Sequence, residues 1–339
     1  LGVLAAGIVL GFRIRACAAL FCAGFTALWM MDRVIYLNHY YLISLLTGLL
    51  AVLPASKDRL PRGARDLLRL QVALVYFFAG LAKLQSDWLL EAQPLRIWFS
   101  ELGGPSLLRL PAVAFAASWA GAAFDLALPF ALFVPRLRPW ALSAAALFHL
   151  LTALLFPIGL FPWVMMASLC LFLERPSGTP SADPVRPVRP AVLAAACVYL
   201  AAQVLIPLRG GLTTVEALWT ESAFRFSWRV MVMEKTADVE FRFRDPASGE
   251  EWGEAPSRSL TRLQVRLFST QPDLILYHAQ RRARDLSRVR GRGVEVRARV
   301  RVSMNGRPSQ ALVNPDVDLA RLPSDPAPEA WLLRNSPPR

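Results

Sequence analysis

Pro190-Ala-Val-Leu-Ala-Ala-Ala-Cys-Val-Tyr-Leu-Ala-Ala-Gln-Val-Leu-Ile-Pro-Leu208 runs without a single charge between Arg189 and Arg209. About 20 apolar residues in a helix cross a hydrocarbon core of about 30 Å, so this stretch reads as a membrane span. It also divides the chain. Residues 1–208 carry 16 basic and 9 acidic side chains, and residues 209–339 carry 22 and 16. The charged fraction therefore rises from about 12% to about 29% across the divide, against about 25% in ordinary soluble domains. The 339 residues, 55% hydrophobic with a formal net charge of +13, are thus a lipid-embedded region followed by a water-exposed one. This excludes a disordered chain, a small disulfide scaffold and a purely soluble enzyme.

Working back from the divide, apolar runs of spanning length predict helices near 16–31, 39–54, 67–85, 111–134, 139–156, 158–174 and 190–208. Leu1–Gly11 reads as the remnant of a further helix. It starts with Leu and has neither a basic leading region nor a small-residue cleavage site, so it is not a signal peptide and the chain reads as lacking its true start. Alternate loops hold eleven Lys and Arg (Arg13, Arg15, Lys57, Arg59, Arg62, Arg65, Arg136, Arg138, Arg175, Arg186 and Arg189), whereas the opposite loops hold Arg33, Arg96 and Arg109. Positive loops stay in the cytoplasm. Residues 209–339 are then expected outside, since long domains translocate largely regardless of charge. Asp183-Pro-Val-Arg-Pro-Val-Arg-Pro190 reads as a stiff cytoplasmic linker. Cys17, Cys22, Cys170 and Cys197 all fall in apolar runs and read as buried small hydrophobes.

Working forward, Val294, Val296, Ala298, Val300, Val302 and Met304 alternate with polar residues, the pattern of a strand with one buried face. Val239-Glu-Phe-Arg-Phe-Arg244 repeats it, and Asn305-Gly306 is a hairpin turn. Between them Pro272–Arg290 reads as a helix with Ile275, Ala279, Leu286 and Val289 on its buried side. The fold class is a polytopic α-helical membrane protein with a C-terminal β-rich (α+β) extracytoplasmic domain, divided into 1–208 and 209–339. The arginine-bearing faces read as solvated rather than as nucleic-acid surfaces, because stacking aromatics are not interleaved with them. A surplus of +6 in residues 209–339 suits acidic peptides or anionic headgroups instead.

A charge at the centre of a spanning helix costs about 2.5–3.5 kcal/mol on insertion scales, which makes intramembrane ionisable residues functional candidates. Lys83, in Tyr76-Phe-Phe-Ala-Gly-Leu-Ala-Lys-Leu-Gln-Ser-Asp-Trp88, has two readings. It snorkels outward or pairs with Asp87, or it is a desolvated neutral amine acting as a base. Tyr76, Gly80, Lys83 and Asp87 are expected on one helical face, with Gly80 admitting a flat ligand to the backbone. Asp125 sits mid-helix and needs a partner, which Lys83 or His149 could supply. His149 reads either as a satisfied interior histidine or as part of the site, and His39 as an interfacial residue or a site residue. No phosphate loop, zinc signature or nucleophile elbow is present, and no metal is expected.

The Tyr76–Trp88 segment closely resembles the segment around the catalytic lysine of vitamin K-dependent gamma-carboxylases. Leu37-Asn-His-Tyr-Tyr-Leu42, Ala123-Phe-Asp-Leu126, Phe148-His149, Phe156-Pro-Ile-Gly-Leu-Phe-Pro-Trp-Val-Met165, Ser227-Trp-Arg-Val-Met231, Val302-Ser-Met-Asn305 and Asn314-Pro-Asp-Val-Asp318 match in order. Bacterial relatives are described as carrying a horizontally transferred transmembrane domain. The resemblance implies that Lys83 deprotonates vitamin K hydroquinone and that the product reacts with O2. The strong base so formed takes a γ-proton from a peptide glutamate, CO2 captures the carbanion, and the quinone leaves as its epoxide. It adds Asn38, His39, Trp228 and Met231 as supporting or quinone-binding candidates beside Asp125 and His149, although Trp228 and Met231 also read as interfacial anchors. The implied partners are a Glu-containing peptide or protein and the lipid bilayer, and the implied location is a bacterial inner membrane.

One departure stands out. Animal members carry a second Asn-His pair just after the span matching 39–54, where this chain reads Leu53-Pro-Ala-Ser-Lys-Asp58, with Lys57 at the nearest position. Epoxidation without efficient carboxylation is therefore a second expectation. A non-catalytic membrane scaffold binding acidic partners through the outer domain is a third.

Overall fold

The computed structural model describes residues 1–54, 60–102, 105–173, 189–209, 215–221 and 223–335. Its first region comprises α1 (Gly2–Val9), α2 (Ile14–Met30), α3 (Asn38–Val52), α4 (Arg62–Ala82), the short α5 (Ser86–Leu89) and α6 (Leu95–Glu101), then α7 (Pro111–Phe133), α8 (Arg138–Leu155), α9 (Phe161–Leu169) and α10 (Pro190–Leu208). Each predicted span corresponds to one of these helices. α5 and α6 were not anticipated, because helices of 4 and 7 residues are too short to display a period. Among the described residues α7, α8 and α10 are long and apolar enough to cross a bilayer, while α2, α3 and α9 with its 3₁₀ extension are shorter apolar helices. α7, α8, α9 and α10 all start with proline in the first turn, where a missing N–H costs nothing. The chain reaches its extramembrane C-terminal region through α10.

The bundle core gathers Leu42, Val72, Tyr76, Leu128, Ala145, Met165 and Trp228. Its outer wall exposes Leu147, Leu154, Val198 and Leu205, as expected for side chains that meet lipid. Here the cysteine expectation is corrected. Cys17 is buried and Cys22 half-buried, but Cys170 and Cys197 lie exposed on the bundle surface, and all four are free. In lipid a small apolar side chain gains little by turning inward.

The C-terminal region holds α11 (Val215–Thr220), β1 (Lys235–Arg244), β2 (Glu251–Glu254), α12 (Arg262–Phe268), α13 (Pro272–Arg290), β3 (Glu295–Met304) and β4 (Gln310–Ala311). The antiparallel sheet has the order β2-β1-β3-β4. β1 and β3 pair along their whole length, from Lys235 opposite Met304 to Arg244 opposite Glu295. This register turns Val239, Phe241, Phe243, Val296, Ala298, Val300 and Val302 onto one face, which packs with Ile275, Ala279 and Ala283 of α13. Val289 is corrected: it is 85% exposed, in the last turn, beyond the reach of the sheet. Asn305 and Gly306 both have positive φ (53° and 74°), and Arg307 N–H closes the turn on Met304 O at 3.1 Å, the geometry that suits an Asn-Gly hairpin. The Asp183–Pro190 linker lies outside the described residues up to Val188, and so does Lys57.

Candidate active site

α4 stops at Ala82, earlier than its hydrophobic pattern predicts, and Lys83 is its C-cap. There Lys83 N–H bonds Gly80 O at 3.0 Å, and Gln85 turns extended (φ −136°, ψ 157°). Lys83 Nζ donates to Ala79 O at 3.3 Å, one of the carbonyls a helix end leaves without a partner. It also meets Asp125 Oδ2 at 2.7 Å and lies 5.2 Å from the Trp88 ring centre. Both charged groups are buried. Lys83 therefore neither snorkels nor pairs with Asp87, and the partner Asp125 needs is Lys83.

The approach of α4 to α7 makes this pair. A Cβ on Gly80 would stand 2.8 Å from Leu126 Cγ and 2.9 Å from Leu126 N, so glycine is what lets the two backbones meet. This corrects two expectations. Gly80 admits a neighbouring helix rather than a flat ligand, and Asp87 lies on α5 beyond the end of α4, off the helical face it was expected to share.

A cavity of about 420 Å³ opens beside the pair. Its lining includes Tyr76, Lys83, Trp88 and Asp125, with Trp98, Phe124, Phe148, His149, Phe161 and Met231. Tyr76 Oη and His149 Nε2 are 2.6 Å apart, while His149 Nδ1 is buried with no hydrogen-bond partner among the described residues. The site thus presents two hydrogen-bonded pairs, Lys83–Asp125 and Tyr76–His149, within an apolar wall. Such an enclosure suits an aromatic ligand with polar oxygens.

Of the other candidates, His39, Asn38 and Trp228 stand apart from the cavity lining. His39 is buried with its ring 6.2 Å from Phe161, which also lies 6.2 Å from His149. Phe161 is therefore the residue that links His39 to the site. Asn38 accepts from Tyr36 Oη at 3.0 Å and donates Nδ2 to Arg229 O at 3.1 Å, tying α3 to the segment that follows α10. Trp228 is fully buried in the bundle core and stacks on Tyr41 at 5.1 Å. Met231 does line the cavity. Phe226, Trp228 and Met231 adopt positive φ of 63°, 57° and 52°, a conformation non-glycine residues rarely take. Periodicity alone did not reveal this segment, because it contains neither a helix nor a strand.

Residues 1–176 match the HTTM domain family, and residues 188–336 match the lumenal domain of vitamin K-dependent gamma-carboxylase. The chain belongs to the vitamin K-dependent gamma-carboxylase family. No solved structure matches it. As a membrane protein of the carboxylase family it is expected to depend on vitamin K, and the residues present fit that group. The cavity is apolar, roomy enough for a fused-ring quinol, and carries an unpartnered buried nitrogen at His149 and an amine at Lys83. Sequence reasoning in this member of the gamma-carboxylase family missed Tyr76 as the partner of His149, and Trp98 and Phe161 as cavity walls. Tyr76 carried the one available signal, since a tyrosine buried among aliphatic neighbours needs a partner for its hydroxyl.

Proposed function

We propose that this protein is a vitamin K-dependent gamma-glutamyl carboxylase-like membrane enzyme, a carbon–carbon lyase that couples hydroquinone epoxidation to carboxylation of peptide glutamate. The observation that carries the reading is the buried Lys83–Asp125 pair at 2.7 Å on the wall of an apolar cavity. When bound, vitamin K hydroquinone would supply, with O2, the base strong enough to remove a glutamyl γ-proton, leaving a carbanion that adds to CO2. The protein's share is proton handling and exclusion of water. Asp125 takes the proton resting on Lys83 Nζ, which frees the amine lone pair. Nζ then accepts a proton from the ligand hydroxyl, and Asp125 holds the other until the site resets. In this reading His149, a lining residue whose ring Tyr76 holds through Nε2 and whose Nδ1 has no partner among the described residues, binds a second ligand oxygen. The apolar walls keep water from competing for reactive species.

The glutamate-bearing partner is proposed to meet the open face of the outer sheet. Arg242, Arg244, Arg299 and Arg301 are exposed there and Arg297 is half-buried. In this reading that domain is extracytoplasmic and the membrane is a bacterial inner membrane. The second Asn-His pair is absent from Leu53–Asp58, where the nearest position holds Lys57 rather than an imidazole, and this favours a second outcome, epoxidation with little carboxylation.

The test supplies the membrane-embedded protein with vitamin K hydroquinone, O2, labelled CO2 and a Glu-rich peptide. Wild type is expected to form epoxide, and Lys83→Ala to lose at least about 100-fold in rate, the scale of a positioned base. Full epoxide formation by Lys83→Ala, or none by wild type, overturns the reading. Epoxide without fixed label selects the epoxidase.

A further inference from the structure

The short segment after Lys83 is held from two directions. On the membrane side Trp88 donates its indole N–H to Ser118 O at 2.7 Å and accepts from Ser118 Oγ through its carbonyl at 2.6 Å. On the outer side Asp87, with a side chain 2% exposed, accepts from Arg307 Nη1 at 2.5 Å, Arg307 Nη2 at 2.7 Å and Asn305 Nδ2 at 2.7 Å. Asn305 and Arg307 belong to the turn between β3 and β4, far from Asp87 in sequence. That turn also holds a second piece of the cavity wall. Asn305 N–H donates to Glu234 O at 2.8 Å, Asn305 Oδ1 accepts from Glu234 N–H at 2.9 Å, and Glu234 Oε2 accepts the indole N–H of Trp98 at 2.6 Å.

We infer that Asn305 and Arg307 are positioning residues for the active site, acting through Asp87 to hold Lys83 and Trp88 against the cavity. The geometric part stands by itself; the kinetic part rests on the proposed role of Lys83. α4 has ended at Ala82 and α5 begins at Ser86, so no helix absorbs a displacement between Asp87 and Lys83. A carboxylate this buried stays in place only while its three donors remain. Without Arg307 it must carry an uncompensated charge or turn toward water, and either change drags residues 84–88. The bidentate guanidinium grip fixes direction as well as distance, which a lysine cannot do.

The chain contains three lysines, Lys57, Lys83 and Lys235, so amine acylation of the full-length protein in membranes can be read site by site by peptide mass spectrometry. Lys235 is an internal control, buried against Glu221 at 2.9 Å in the outer domain. Arg307→Met is expected to raise acylation at Lys83 several-fold with Lys235 unchanged, and Arg307→Lys to give an intermediate rise. In turnover, Arg307→Met and Asp87→Asn are each expected to lower kcat for epoxidation by about tenfold, the cost of a misplaced base, with KM within about twofold. The double variant is expected to be no slower than either single one. Lys83 and Lys235 rising together, an unchanged Lys83 in Arg307→Met, or additive losses in the double variant overturn the inference. If wild type forms no epoxide, the functional reading fails while acylation still decides the positioning role.

Discussion

Lys83 and Asp125 are each costly to leave alone in a membrane, and each satisfies the other. Truncating one member of a buried pair strands the other, at a cost of about 3–5 kcal/mol, whereas replacing both with apolar residues removes the liability. Asp125→Leu is therefore expected to lower thermal stability in detergent sharply, and Lys83→Met/Asp125→Leu to recover most of it. The reverse order, with the double variant less stable than the single one, would show that the pair does more than neutralise itself. At Tyr76 the change to Phe leaves His149 Nε2 without its bond, which costs about 1–3 kcal/mol for a buried polar group. It is expected to raise the quinol KM more than it lowers kcat, since it loosens a binding contact rather than the base.

At the scale of elements, the site depends on how closely α4 and α7 approach. Gly80→Ala sets a methyl against Leu126 N at 2.9 Å, a backbone atom that cannot swing aside. The helices must separate, with an overpacking cost of about 1–3 kcal/mol. Epoxidation is expected to fall in Gly80→Ala even in the fraction of protein that remains folded, because the separation widens the Lys83–Asp125 gap. Helix positions were largely legible in the sequence, since apolar runs and first-turn prolines act locally. The early end of α4 was not legible. Lys83, Leu84 and Gln85 continue an acceptable helical pattern, but Gln85 is extended and its side chain donates to Val232 O at 3.0 Å, a residue distant in sequence.

In the whole molecule the C-terminal domain is joined to the membrane region by charge as well as by apolar contact. Burial alone would raise the Asp87 carboxyl, but the bonds from Arg307 and Asn305 and the charge of Arg307 outweigh it and hold the group below the usual carboxylate range. A depressed folded value means that the tie contributes stability above the unfolded value of about 3.9 and loses it as pH falls through the lower folded value. Hydrogen exchange of residues 84–89, corrected for intrinsic rate, is expected to stay slow at about pH 5 and to accelerate only below about pH 4. Acceleration already near neutral pH would show that the carboxylate is not held in this way. Orientation has its own test: alkaline phosphatase fused after residue 335 is expected to be active and a cytoplasmic fluorescent reporter at the same place dark, as the basic loops require.

The sequence by itself determined the end of the last apolar helix at Leu208, the helix positions, the two long strands and α13, and it singled out the few ionisable residues that are costly in a membrane. These follow from periodicity, length and the cost of charge in lipid, all of which are local. Only the tertiary structure decided which groups meet. Lys83 takes Asp125 at a separation of 42 residues, and Asp87, one turn away in any helical reading, takes Arg307 at a separation of 220. The physical reason is that each buried charge goes to the partner with the shortest and best-aligned approach. That approach is set by where Gly80 lets α7 come near and where the Asn305-Gly306 turn reaches down.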